Sequence, residues 1–386
     1  MIIMRFVSVV SALSLGMLTI PASLAQSPAF ETRASHAVIM DAHTGIVLFN
    51  KDGDVAMPPA SMSKLMTTLM AFEAIENGRL SLDDELMVSE NAWRKGGVSS
   101  GSSTMFLEPN TRVKVSDLLR GIIVQSGNDA CIVIAEALEG TEDAFAEAMT
   151  HRAQELGLTS ATFANSTGWP HEDHRISARD LAEVARIIIE DHPEFYELYN
   201  EGSFTYNGIT QSNRNPLLGV VEGADGLKTG HTEESGYGLV GSAVRDDTRR
   251  IIVFNGMGSM RDRASEAERL MRAAFSDFEV YTLGEAGEVL AEADVFMGHE
   301  AKIGLVLPQS LTLGMHRREY RDFTAHVEFE GPVTAPIQQG DVLGHLIVDM
   351  GEGREERIEL QAEKDIARKG LFGRAGDALL YLIRGR

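Results

Sequence analysis

Residues 58–72 read Pro58-Pro59-Ala60-Ser61-Met62-Ser63-Lys64-Leu65-Met66-Thr67-Thr68-Leu69-Met70-Ala71-Phe72. The apolar positions 62, 65, 66, 69 and 72 have the spacing of a helix that is buried around much of its circumference. Ser61 and Lys64 lie three residues apart, so a helix places the hydroxyl and the amine on one face. Desolvation lowers the pKa of a lysine towards the range of a general base. The stretch therefore predicts a serine nucleophile beside its base, although it also fits a solvated lysine at the end of a core helix.

The composition is that of a globular protein with more than one domain. The chain has 386 residues, of which 44% are hydrophobic and 24% are charged, and this length favours two or three domains. A net charge of -22 argues against a nucleic-acid partner. The single cysteine, Cys131, excludes an intramolecular disulfide and a cysteine-rich metal site, and we expect a buried, inert thiol.

The N-terminus has the order of a secretory signal. Arg5 is followed by an apolar run, and the small residues Ser23 and Ala25 occupy the -3 and -1 positions of a cleavage site. We expect residues 1–25 to be a signal peptide and the protein to be exported. The alternative is an uncleaved transmembrane anchor, for which the apolar run is short and interrupted by serines.

The body of the chain predicts an α/β domain over residues 30–280. Two strands joined by a turn precede the Ser61 helix, and Ser116 and Ser177 are expected to cap later helices. Strands return before the domain ends, with Asp246-Asp247 as a hairpin turn. Helical patterns cover residues 115–123, 129–138, 141–156, 178–191 and 265–275. Strand patterns cover residues 37–40, 46–49, 237–244 and 250–254, and a further strand holds Lys228.

The pattern of apolar and polar residues changes after this domain. Residues 285–363 show short alternating runs such as 323–329, typical of a small all-β domain. Residues 364–386 mix leucines with arginines, and a basic tail on an acidic protein suggests an amphipathic helix on an anionic membrane surface. Docking of the tail onto the chain's own core is the alternative.

Two further short motifs accompany Ser61-x-x-Lys64. Ser126-Gly127-Asn128 lies between two predicted helices, and Lys228-Thr229-Gly230 lies on a predicted strand. Ser-x-x-Lys, Ser-x-Asn and Lys-Thr-Gly in this order are typical of serine enzymes that form acyl intermediates. Each motif alone is weak evidence for such an enzyme, but the three together on an exported chain are strong evidence.

The chemistry of acyl transfer requires these residue types. Lys228 is a second cation that keeps Lys64 partly neutral, and Ser126 can relay a proton to a leaving group.

Substrate contacts follow from the same motifs. Asn128 can fix Lys64 or a substrate amide, and Thr229 offers its hydroxyl to a substrate carboxylate. Gly230 allows a close backbone approach. The backbone N–H groups of Ser61 and His231 are the natural oxyanion donors.

The chain resembles the low-molecular-mass penicillin-binding proteins that act as D-alanyl-D-alanine carboxypeptidases, of the penicillin-binding protein 5 type. The segments that carry the resemblance are residues 57–67, 102–107, 126–130, 177–181, 226–232, 261–263 and 370–374. The resemblance implies a penicillin-binding, β-lactamase-like α/β domain, with an antiparallel sheet flanked by helices and a helical subdomain, followed by a β-domain acting as a stalk.

The resemblance also implies a reaction and a location. Ser61 would attack the penultimate D-alanine carbonyl of a peptidoglycan stem peptide, and β-lactams would acylate the same serine. Arg263 would help to hold the terminal carboxylate, directly or through Thr229. The protein would be periplasmic, attached peripherally to the outer face of the cytoplasmic membrane.

Other functions remain open from the sequence. A β-lactamase needs a carboxylate that activates water, for which Glu172 is the obvious candidate. A D,D-endopeptidase and a non-catalytic module that binds β-lactams or the cell wall are further alternatives. His171 and His174 lack the His-Glu-x-x-His pattern of a zinc site, and we expect neither a metal nor a cofactor.

Overall fold

The structure is a computed structural model that describes residues 30–349, 355–373 and 375. The described residues form two compact units, the first over Thr32–Phe278 and the second over the described residues from Glu279 onward. The predicted signal peptide at residues 1–25 lies outside the described residues.

The first unit has a five-stranded antiparallel sheet with helices packed against it, as the sequence predicts. The strand order is β2-β1-β9-β8-β7, so β7 is an edge strand. Its elements are β1 (His36–Asp41), β2 (Val47–Lys51), a 3₁₀ helix (Ala60–Ser63), α1 (Lys64–Glu76), β3 (Glu85–Met87), α2 (Glu90–Gly96), a 3₁₀ helix (Val98–Ser100), β4 (Arg112–Lys114), α3 (Val115–Ile123), α4 (Asn128–Glu139), α5 (Glu142–Glu155), α6 (Ala178–Asp191), α7 (Pro193–Tyr196), a 3₁₀ helix (Glu197–Asn200), β5 (Ser203–Tyr206), β6 (Ile209–Ser212), β7 (Ala224–Thr232), β8 (Gly236–Arg245), β9 (Thr248–Met257) and α8 (Met260–Ser276).

Helix α1 is the buried helix that residues 58–72 predict. Ten of its residues, including Lys64 and Phe72, are buried, which is expected of a helix that is apolar around its circumference. The 3₁₀ helix before α1 contacts strand β7. A side chain could not be accommodated at Gly230 without movement, since a Cβ there would lie 2.9 Å from the Pro59 carbonyl oxygen. Glycine therefore lets β7 approach the residues around Ser61.

Local signals fix the ends of several elements. The Ser177 side chain caps α6 by accepting from the Asp180 N–H at 3.0 Å, as predicted. The β8–β9 hairpin turns at Asp246, whose φ of 50° is left-handed, a conformation common in such turns. The prediction for Ser116 is wrong. The extended residue Lys114 is the N-cap of α3, because β4 runs directly into the helix.

The second unit is rich in β structure. Its elements are β10 (Phe278–Gly284), β11 (Val289–Phe296), β12 (Lys302–Val306), β13 (Leu311–His316), α9 (Glu319–Asp322), β14 (Thr324–Phe329), β15 (Val333–Thr334), β16 (Val342–Asp349) and β17 (Glu355–Ala362). Six strands form one sheet in the order β14-β16-β17-β12-β11-β15, and β10 pairs with β13. The alternating pattern at 323–329 is strand β14, and the short helix α9 is an addition that the sequence did not predict.

Residues just beyond β17 pair with this unit. Ile366 is 2% exposed, and its N–H donates to the Ile337 carbonyl at 2.9 Å. The Lys369 N–H donates to the Met297 carbonyl at 2.9 Å. Residues 366 and 369, which the sequence assigned to the surface-binding segment 364–386, therefore pair with the β unit, and residues 374 and 376–386 lie outside the described residues. Among the residues described, no helix combines the length and apolarity needed to cross a membrane.

Candidate active site

Ser61 and Lys64 meet at the junction between the first 3₁₀ helix and α1. Lys64 Nζ donates to Ser61 Oγ at 2.9 Å and also to the Thr167 carbonyl oxygen. Ala60, just before the serine, has a left-handed φ of 49°, which is uncommon for a residue with a side chain and is typical of functional sites. The predicted pairing of nucleophile and amine is present.

The environment of Lys64 favours the neutral amine. The side chain is fully buried, and this burial lowers the pKa of Lys64 from 10.5 to about 8. The charge of Arg214 lowers it further, whereas Cys131, Asp129 and Glu142 act in the opposite direction. About a tenth of the amine is therefore free at pH 7, and a general base acts through this free form.

A second lysine–serine pair lies beside the first. Lys228 Nζ donates to Ser126 Oγ at 2.9 Å. Burial, and next the charge of Lys64, hold the pKa of Lys228 well below its usual value. Ser126 also has a left-handed φ, of 60°. The two motifs that the sequence places 102 residues apart thus form one hydrogen-bonded pair, next to Lys64.

Asn128 follows this pair at the start of α4. Its backbone N–H donates to the Ser103 carbonyl at 2.8 Å. Within the described part of the chain, the buried Oδ1 of Asn128 has no hydrogen-bond partner. Of the two predicted roles, a bond from Lys64 to this oxygen is not formed, and the contact with a substrate amide stays a prediction.

Strand β7 and helix α8 supply the other predicted binding residues. Thr229 is buried, and the His231 ring stacks on Tyr237 with centroids 3.7 Å apart. The Arg263 guanidinium lies 5.7 Å from the centroid of the Tyr237 ring. Its Nε has no partner among the described residues, and its charge contributes to the lowered pKa of Lys228. Arg263 is therefore close to Lys228.

Sequence reasoning missed Arg214 and Thr167. Arg214 Nη1 donates to Ser103 Oγ at 2.6 Å, and burial lowers the pKa of Arg214. Its charge lowers the pKa values of Lys64, Lys228 and Arg263. Four basic side chains thus gather at one site of a protein whose net charge is -22. No motif marks Arg214, and Thr167 acts through its backbone, so neither gives a sequence signal.

The sequence offered four further candidates, Glu172, His171, His174 and Cys131. Glu172 and His171 are exposed. His174 is buried, and its Nδ1 accepts from the Ala164 N–H at 3.1 Å; burial lowers its pKa to about 3. Burial also raises the pKa of Cys131 to about 12, so the thiol stays protonated. In the portion of the chain described, no group of three or more His, Cys, Asp or Glu side chains is placed to hold a metal.

A hydroxyl hydrogen-bonded to a buried amine of lowered pKa, with a second lysine–serine pair beside it, is suited to acyl transfer through a serine ester. The chain belongs to the peptidase S11 family of D-alanyl-D-alanine carboxypeptidases, which it matches over residues 22–258. Residues 278–368 match the C-terminal domain of penicillin-binding protein 5. The resemblance inferred from the motifs, and the two-part fold that it implies, are confirmed.

The chain is similar to its relatives over most of their length. D-alanyl-D-alanine carboxypeptidase DacA of Haemophilus influenzae is 34% identical over 353 residues, 90% of this chain and 89% of that protein. DacC of Escherichia coli is 34% identical over 358 residues, covering 92% and 89%. The crystal structure of DacD from Francisella tularensis has a TM-score of 0.77 at 29% identity, over 91% of this chain and 98% of the other.

Proposed function

We propose that this protein is a serine-type D-alanyl-D-alanine carboxypeptidase that acts through an acyl-enzyme on Ser61. The observation that carries the proposal is the 2.9 Å bond between Lys64 Nζ and Ser61 Oγ in a chain that belongs to this family. The substrates are peptidoglycan stem peptides that end in D-Ala-D-Ala, and β-lactams are covalent inhibitors.

Acylation begins with transfer of the Ser61 proton to Lys64. Ser61 Oγ then attacks the penultimate D-alanine carbonyl, whose oxygen accepts from the backbone N–H groups of Ser61 and His231. Close packing of Gly230 against the Pro59 carbonyl supports this placement, because it brings β7 next to the nucleophile. The collapse of the tetrahedral intermediate breaks the peptide bond.

Ser126 protonates the leaving amine. Since Lys228 Nζ donates to Ser126 Oγ, the hydroxyl proton of Ser126 is left to be donated elsewhere. The terminal D-alanine departs with that proton. Ser126 recovers its proton from Lys64, which becomes a free amine again. Water next attacks the ester carbonyl and gives a proton to Lys64, and Lys64 passes that proton to Ser61 Oγ as the ester bond breaks.

The substrate is held by charge and by backbone pairing. The terminal carboxylate is bound by Arg263 and the Thr229 hydroxyl, in a buried site where charge attraction is strong. The free Oδ1 of Asn128 accepts a peptide N–H of the substrate. An extended stem peptide can add to the open edge of β7, as peptides add to other sheet edges.

The activity is tested by release of D-alanine from a synthetic peptide ending in D-Ala-D-Ala. We expect release by the wild type and none by Ser61→Ala, with both proteins folded by circular dichroism. Release by the Ser61→Ala variant, or none by the wild type, would refute the proposal. Rapid turnover of penicillin without a lasting adduct would support a β-lactamase instead.

We also propose that the protein is exported and attached to the outer face of the cytoplasmic membrane. The signal-like residues 1–25 support export. Leu371 and Phe372 are 76% and 96% exposed, which supports contact of the basic C-terminal segment with anionic lipid.

Attachment is tested by co-sedimentation with vesicles of phosphatidylglycerol. The mature chain should sediment, whereas a chain truncated after Lys369, which keeps Ile366 in the β core, should remain in solution. Equal sedimentation of both chains would contradict the attachment.

A further inference from the structure

Glu142 is a buried carboxylate near the site that no part of the proposed mechanism uses. It is the first residue of α5 and is 7% exposed. Oε1 accepts from Ser166 Oγ at 2.9 Å and from the Ser166 N–H at 3.3 Å. Oε2 lies 3.7 Å from Nζ of the mostly exposed Lys95. Burying a carboxylate costs free energy unless hydrogen bonds or charges compensate it. The burial of Glu142 therefore needs an explanation.

Ser166, which donates both hydrogen bonds to Glu142, belongs to the 165–169 loop, which runs from Asn165 to Trp169. Asn165 Oδ1 accepts from the N–H groups of Thr167, Gly168 and Trp169 at 3.1, 2.8 and 3.0 Å, respectively. The same oxygen accepts from Thr167 Oγ1 at 3.0 Å. The side chain of Asn165 therefore ties together the backbone of residues 167–169.

Two successive carbonyls of the 165–169 loop face α1. The Ser166 carbonyl accepts from Thr67 Oγ1 at 2.7 Å, and the Thr167 carbonyl accepts from Lys64 Nζ. A Cβ at Gly168 would lie 2.0 Å from the Ala60 carbonyl oxygen, so the loop also packs against the residue before Ser61. Any shift of this loop would displace the amine from the nucleophile.

Glu142 is also one of the charges that act on Lys64. Its charge raises the pKa of Lys64, opposing burial and the charge of Arg214. The titratable groups that act on Lys64, or on which Lys64 acts, are Cys131, Asp129, Glu142, Arg214, His174 and Lys228.

We propose that Glu142 is a positioning residue for the general base. Its carboxylate fixes Ser166, and thereby fixes the next carbonyl along the loop, that of Thr167, which accepts from Lys64 Nζ. Its negative charge also favours the ammonium form of that lysine. The inference rests on the proposed role of Lys64 in deprotonating Ser61.

Two variants separate the hydrogen bonds of Glu142 from its charge. Glu142→Gln keeps an oxygen acceptor for Ser166 but removes the charge, whereas Glu142→Ala removes both. Asp143→Asn is the matched control, because it removes one charge from the same turn of α5 at an exposed position, where solvent screens the charge. The readout is the second-order rate constant for acylation by a fluorescent penicillin as a function of pH.

The two variants should change different features of the pH–rate profile. Glu142→Gln should keep the plateau rate within about threefold and move the midpoint of the acid limb down by about half a pH unit, because a charge that favours the ammonium is lost. Glu142→Ala should lower the plateau about tenfold or more, since the amine loses its fixed position. Asp143→Asn should match the wild type in both respects.

A plateau for Glu142→Ala within about twofold of the wild type would overturn the inference, as would a midpoint for Glu142→Gln equal to that of Asp143→Asn. If Glu142→Ala does not fold, the Glu142→Gln midpoint decides alone. Adduct formation by Ser61→Ala would overturn the proposed function and this inference with it. If Ser61→Ala forms no adduct and the Glu142 variants are acylated like the wild type, the inference is overturned and the proposed function stands.

Discussion

Burial of Lys64 makes a quantitative prediction for the pH dependence of acylation. The pKa of Lys64 is lowered from 10.5 to about 8, and only the free amine can accept the Ser61 proton. The rate constant for acylation should therefore rise with pH through about 8 and then level off. At about pH 6, two units lower, about 1% of the amine is free, so acylation should be about a hundredfold slower than on the plateau.

The decisive perturbation is Lys64→Arg. A guanidinium keeps the positive charge but stays protonated at every accessible pH. The plateau rate should fall by a factor of about 10² to 10⁴, the usual contribution of a general base, and raising the pH should not restore it. Lys51→Arg is the matched control, because Lys51 Nζ also donates to carbonyls, those of Thr32 and Ala34, at 2.9 and 2.8 Å.

The assay is stopped-flow acylation by a fluorescent penicillin, with thermal unfolding as a check on folding. A wild-type rate constant that does not change between about pH 6 and 9 would refute the role of Lys64 as a base. A Lys64→Arg rate within about tenfold of the wild type would refute it as well. A similar loss in Lys51→Arg would show that the substitution acts through stability.

Three further changes test other parts of the site. Ser126→Ala removes the hydroxyl that accepts from Lys228, so D-alanine release should fall about a hundredfold or more in a folded protein; a loss below about threefold would exclude the relay. Gly230→Ala places a Cβ 2.9 Å from the Pro59 carbonyl oxygen, so acylation should fall about tenfold, and an unchanged rate would show that β7 can move freely. Arg214→Gln removes a charge that lowers the pKa of Lys64, so the acid limb of the pH–rate profile should move to higher pH; a shift to lower pH would contradict that sign.

The sequence predicts the parts of the site that depend on local spacing. Ser61 and Lys64 are three residues apart on a helix, and Lys228-Thr229-Gly230 lies on a strand, so periodicity places each motif on its element. The buried character of α1 follows from the same pattern. Recognition of the three motifs together led to the family, which the comparisons confirm.

The remainder depends on contacts between distant residues. Lys64 donates to a backbone carbonyl 103 residues away, and a carbonyl carries no side-chain signal. Arg214 and Glu142 enter the site only because the fold brings them to the lysines, whereas Glu172, which the sequence suggested as a carboxylate for water activation, is exposed. The sequence did not predict the pairing of Ile366 with Ile337, because the composition of residues 364–386 suggested a helix.

The acyl-enzyme is tested most directly by the intact mass of the protein after brief exposure to ampicillin, followed by peptide mapping. For the present protein we expect one ampicillin added per chain, on the peptide that contains Ser61, and none on Ser61→Ala. An adduct on another residue, or D-alanine release without any adduct, would contradict the mechanism.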